Sequence, residues 1–168
     1  MVLSRTELSR ALQHEIKILL HLAGKLEPAM LDYRPTPKQR SALELLRYLS
    51  AMAPGLLEVA ETGTFSPPAW TVHEHAAAGR SFEQTLAVIA EQGAEYGRLD
   101  ARWSDADMRA EIAPWGEKTS RGAFLVAFLL CGYAAYRTQL FLYLKACGRT
   151  ELGTLNLWDG VDPPPRAT

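Results

Sequence analysis

Residues 120–148 read SRGAFLVAFLLCGYAAYRTQLFLYLKACG, and this stretch decides the fold. Thr119 or Ser120 is suited to cap a helix, Gly148 is placed to stop it, and nothing between them breaks it before Cys147. Phe124, Leu125, Phe128, Leu129, Gly132, Tyr136, Leu140 and Tyr143 recur along one face, while Val126, Leu130 and Phe141 are apolar on others. Such a helix is buried on more than one side, centrally in a bundle or partly against a second subunit. The uncharged run from Gly122 to Tyr136 falls short of the roughly 18–20 residues that a membrane-spanning helix needs, so a buried helix is predicted and no membrane partner.

Three further helices are legible upstream. Ser4-Arg5-Thr6-Glu7 is a capping box, followed by Leu8, Leu12, Ile16, Leu19, Ala23 and Leu26 at helical spacing; this first helix should end near Pro28. Tyr33-Arg34-Pro35-Thr36-Pro37 reads as an extended connection, because each proline disfavours helix in the residue before it. A second helix starts at Thr36 or Ser41, with Ala42, Leu45, Leu46, Leu49, Met52 and Ala53 as its stripe and a kink at Pro54-Gly55, before a linker from Thr62 to Pro68. Ser81-Phe82-Glu83-Gln84 caps a third helix carrying Leu86, Ile89, Tyr96 and Leu99, and a connector occupies Asp100 to Thr119. From Asn156 the chain has no helical period and reads as an extended, Pro-rich tail over 156–168, leaving 1–155 as one helical domain.

Composition excludes several classes of function. Eighteen basic against nineteen acidic residues give a formal net charge of -1 with no long Lys/Arg cluster, which argues against nucleic acid. Hydrophobic residues at 48% and charged residues at 22% are those of a globular chain of one domain. Cys131 and Cys147 would lie about 24 Å apart on one helix and cannot pair, and Met1 to Glu7 lacks the order of a signal peptide; both favour a reducing cytoplasm.

Chemistry is sparsely represented. His14 and His21 share a face of the first helix about 10 Å apart in rise, too far for one ion, and point away from the Ile16 and Leu19 stripe towards solvent. His73 and His75 would point the same way in an extended segment and form the one chelation-compatible pair, short of a third ligand. Trp70 beside them reads as an anchor of the linker, and Cys131 as a small hydrophobe. Phosphate loops, nucleophile elbows, HExxH and CxxC patterns are absent, which weighs against an enzyme without deciding the question, and no cofactor is expected.

Two segments carry a family likeness. Tyr33-Arg34-Pro35 leading into Arg40-Ser41-Ala42-Leu43-Glu44-Leu45-Leu46-Arg47-Tyr48-Leu49 resembles the opening of helix two in the DinB/YfiT-like bundles, with Tyr48 where that family has a metal-binding histidine. Gly132-Tyr133-Ala134-Ala135-Tyr136-Arg137-Thr138-Gln139-Leu140 resembles the family's HxxxH-Arg-Gly-Gln-Leu stretch, with Gly132 and Tyr136 in place of the two histidines. The resemblance covers roughly residues 4–150 and implies an all-α four-helix bundle of the up-down-down-up type, with a long linker between helices 2 and 3.

It also implies a divalent-metal centre, which in some members supports thiol-dependent transfer, but Tyr48, Gly132 and Tyr136 substitute all three ligands. A filled core or a pocket of Tyr48, Tyr136, Arg137 and Gln139 is expected there instead. The functional expectation is a metal-free bundle that binds a small molecule or protein partner, as a homodimer through its apolar last helix. The alternatives are a metal-dependent transferase or hydrolase recruiting His73 and His75 with a carboxylate, or a purely structural dimerisation module.

Overall fold

The computed structural model describes residues 3–164. Four long helices build the bundle: α1 (Arg5–Ala23), α2 (Ala42–Thr62), α4 (Phe82–Tyr96) and α7 (Arg121–Ala146), with α3 (Pro67–Ala78) packed on α2. Two short helices, α5 (Leu99–Arg102) and α6 (Asp105–Arg109), and a two-residue hairpin of Glu111–Ile112 with Thr119–Ser120 fill the connector. A last turn of helix, α8 (Thr154–Trp158), lies on α1 and α7. α1 and α2 each pack against both α4 and α7, so one continuous core runs through Leu12, Leu19, Leu46, Leu49, Ile89, Leu125, Leu129 and Leu140.

The two capping boxes read at Ser4 and Ser81 form, and Ser41 makes a third. Ser4 and Glu7, Ser41 and Glu44, and Ser81 and Gln84 each close reciprocally at the starts of α1, α2 and α4, satisfying amides that would otherwise lack partners. α2 runs unbroken through Pro54. The expected linker after Thr62 folds into a further helix, because Ser66 caps it and Pro67 sits in its first turn, where a missing N–H costs nothing.

Gly55 explains how closely α3 approaches. A Cβ at this position would lie 2.8 Å from the Trp70 ring, which itself packs against Phe65 and Tyr48. Alanine in a helix gains up to about 1 kcal/mol over glycine, whereas forcing a packed ring aside costs about 1–3 kcal/mol. Gly55→Ala should therefore destabilise the protein in urea unfolding, and the sign should reverse in a Trp70→Leu background.

α7 differs from its reading in register. Residues Leu125–Leu130 form a π-helical segment, and this wider turn rotates everything after it. The buried series is Phe124, Leu125, Leu129, Tyr133, Arg137, Leu140, Tyr143 and Leu144, so Leu140 and Tyr143 are buried as read, while Phe128 emerges to 45% exposure and Gly132 sits at the edge. By length and composition α7 is long and apolar enough to cross a membrane, contrary to the expectation from its uncharged run alone. Its packing on α1 and α2, and the buried ion pair of Arg137 with Glu15, are those of a bundle helix.

The tail is docked by side chains that the sequence reading assigned to solvent. His14 reaches the Trp158 carbonyl at 2.7 Å, and His21, half-buried, accepts from Asn156 Nδ2 at 3.0 Å. Asn156 is itself 1% exposed. Burial and the nearby Lys25 lower the His21 pKa, in keeping with the neutral ring that accepting this bond requires. Gly160 completes the dock: it has φ 60°, and a Cβ there would lie 2.9 Å from the Ile18 backbone. Of the triple proline, Pro165 lies outside the described residues.

Candidate functional site

Tyr48 on α2 and Gly132 and Tyr136 on α7 converge. Their groove also takes Met52 and Leu56 from α2, and Phe65, Trp70, Trp115, Phe128 and Cys131 from elsewhere in the chain; its volume is about 490 Å³. Gly132 is what brings the two helices together here, since a Cβ on it would lie 3.3 Å from the Met52 sulfur. The walls are aromatic contacts: Trp115 lies 4.8 Å from Phe128 and 6.0 Å from Phe65, and Phe65 lies 5.7 Å from Trp70. Phe128 and Trp115 stay 45% and 53% exposed, so apolar surface remains open to solvent in this hollow.

The two tyrosines meet edge to face, 5.1 Å between centroids. Burial, then the neighbouring Tyr136 hydroxyl, push the Tyr48 phenol up to about 12, against the Arg40 guanidinium 3.9 Å over its ring, which lowers it. Tyr48 is thus a neutral hydroxyl at any physiological pH. A raised folded-state value favours the protonated form, so this stabilisation is full below about pH 10 and is lost as pH rises towards 12. Tyr96 and Tyr133, raised mainly by burial, act in the same direction. The urea midpoint should fall between pH 10 and pH 12, and Tyr48→Phe should make that fall shallower.

Arg137 and Gln139 do not join this groove. Arg137 is buried on another face of α7, where its Nε donates to Glu15 of α1 and its Nη1 donates to the Leu157 carbonyl. Gln139 donates to the Tyr143 hydroxyl, which in turn donates to the Arg40 carbonyl at 3.1 Å. Successive residues of a helix lie about 100° apart, so Arg137 follows Tyr136 onto a different face of α7, where the docked tail meets it.

The histidine pair is corrected as well. His73 and His75 lie on a helix rather than in an extended segment, so two residues of separation put them about 200° apart around its axis. His73 reaches Glu58 at 2.9 Å and His75 is exposed. Trp70 anchors the segment, as read.

A divalent-metal centre does not fit the residues at the convergent site. Gly132 offers no side chain, the Tyr48 phenol resists ionisation, and a thioether is the nearest group to Gly132. Among the described residues, no three His, Cys, Asp or Glu side chains stand together as a metal would require.

Sequence reasoning missed Met52, Phe65, Trp115, Phe128 and Cys131 as walls of one groove. A second buried polar chain was also missed: Tyr96 donates to Tyr133 at 2.8 Å, Tyr133 to Gln92 at 2.7 Å, and Gln92 to the Ser50 carbonyl at 3.2 Å. It links α4, α7 and α2 and has no open face, so its role is to fix how these helices pack.

No protein-family model and no curated protein matches this sequence. Solved structures do resemble it. A putative DinB-family member from Exiguobacterium sibiricum superposes with a TM-score of 0.70 at 20% identity, over 92% of this chain and 99% of that one. The DinB-like protein YjoA from Bacillus subtilis gives a TM-score of 0.66 at 16% identity, over 88% and 96% of the two chains. At these identities the likeness shows the fold, which is the DinB-like helical bundle.

Proposed function

We propose, with the DinB-like bundle as premise, that this chain is a metal-free binding module whose ligand is a small organic molecule held in the groove between α2 and α7. The observation that carries this reading is the groove itself: about 490 Å³, walled by aromatic rings and Met52, with Tyr48 and Tyr136 meeting edge to face in its lining, at the place where the resemblance implied metal ligands. Pockets of this size with apolar walls and a few polar groups are the usual form of small-molecule sites. The Tyr48 phenol, held protonated by burial, can donate to a ligand. Two free thiols support a reducing cytoplasm as the compartment of this module.

The test is isothermal titration with 2-naphthylacetamide, a neutral probe with an apolar body and one polar end. At about 0.3 kcal/mol per heavy atom, 1:1 binding with Kd of about 1 mM or tighter is expected. Absence of heat and of competition at several millimolar would overturn the reading.

A homodimer is a second reading, favoured by the outward stripe of α7. Phe128, Cys131, Ala135 and Leu142 recur at helical spacing without a charge, and Leu142 is 59% exposed. Leu142 does not line the groove, so Leu142→Glu separates the two readings. If α7 pairs with its copy, sedimentation velocity should show a dimer at micromolar concentration that this variant converts to monomer without loss of probe binding. A monomeric wild-type chain would remove the dimer reading.

A further inference from the structure

Two hollows meet at Tyr48. One is the apolar groove; the other, about 280 Å³, opens beside the same ring and carries Arg40, Glu44, Arg47 and Glu74. Most of that charge is committed. Glu44 holds Arg34 at 3.2 Å and the Ser41 amide at 2.7 Å, and Arg47 donates to the Arg80 carbonyl at 2.8 Å. Arg40 differs: its guanidinium lies over the Tyr48 ring at 3.9 Å and, among the described residues, has no carboxylate or hydrogen-bond acceptor of its own. An uncommitted planar cation therefore stands over one of the two hydroxyl-bearing rings at the end of an aromatic groove.

We infer that the seam between the hollows is a carboxylate subsite, and that the ligand is a small monocarboxylate with an apolar, ring-sized body. The body lies against Met52, Trp70 and Phe128, and the carboxylate takes hydrogen bonds from the Arg40 guanidinium and the Tyr48 and Tyr136 hydroxyls. Three donors match an acceptor-only group. One uncommitted cation matches one negative charge. A cationic head would meet Arg40 directly; Glu74, exposed on α3 and close enough to raise the Tyr48 pKa, is the carboxylate that opposes an anion here. Weakening Glu74 should therefore strengthen carboxylate binding, which a simple hydrophobic groove would not show.

This inference rests on the groove reading, and three probes that share one ring system separate the two: 2-naphthylacetate, 2-naphthylacetamide and 2-naphthylethylamine, titrated at low and high salt. The acetate should bind about fivefold to tenfold tighter than the amide, with the ratio shrinking in salt. Arg40→Gln should bring the ratio to about one, Arg40→Lys should retain part of it, and Glu74→Gln should enlarge it. Amide binding equal to acetate, a ratio that survives Arg40→Gln, or preference for the amine overturns the carboxylate subsite and leaves the groove standing. Failure of all three probes overturns the groove reading and this inference with it.

Discussion

Arg137→Met is expected to lower stability by about 3–5 kcal/mol, a large share of what a domain of this size possesses. Arg137 and Glu15 have side chains only 7% and 10% exposed, and the guanidinium also donates to the Leu157 carbonyl and lies 5.5 Å from the Trp158 ring. Removing the arginine strands a carboxylate among apolar residues of α1 and α7, and desolvation of that unpaired charge dominates the cost. The same loss is expected for Glu15→Leu. The double variant should recover most of it, because two apolar side chains in place of the pair leave no charge behind. Urea unfolding of the four proteins gives the coupling directly, and equal, additive losses would show the pair to be unimportant. Arg137 also ties the tail to the bundle, so Trp158 emission should shift to the red in the single arginine variant.

Ala135→Trp is expected to weaken binding of a naphthyl probe by more than about tenfold while leaving stability within about 0.5 kcal/mol of the parent. Ala135 is exposed and lies in the groove wall one residue before Tyr136. An indole placed there has solvent on one side and the Tyr48–Met52 hollow on the other, so it fills the space a ligand would occupy without overpacking the core. Probe affinity by calorimetry and the urea midpoint are read on the same preparation. Unchanged affinity would place the probe elsewhere on the molecule.

The four long helices were readable because each announces itself locally. Ser4, Ser41 and Ser81 precede Glu7, Glu44 and Gln84 by three residues, and the stripes behind them keep a helical period. The helix at Pro67–Ala78 was not read, because paired prolines look like a linker unless Ser66 is recognised as their cap. The exposure of Phe128 and the burial of Tyr133 and Arg137 follow from a π-helical turn at Leu125–Leu130, for which an apolar run carries no local signature. Tyr48, Gly132 and Tyr136 line one groove, whereas its further walls Met52, Trp70, Trp115 and Phe128 come from four separate stretches and meet only in the tertiary fold. Arg40 stood in the stretch that carried the resemblance, but only its position over the Tyr48 ring reveals a cation without a partner.

The central claim, that an organic ligand rather than a metal ion occupies the convergence of α2 and α7, is tested most directly on one ¹⁵N-labelled sample. The amide resonances of Tyr48, Gly132 and Tyr136 are followed while zinc, nickel or manganese is added to one aliquot and 2-naphthylacetamide to another. Saturable shifts centred on these three residues with the naphthyl probe, and none there with the metals, are the predicted result. Perturbation of the same amides that completes near one equivalent of metal would contradict it.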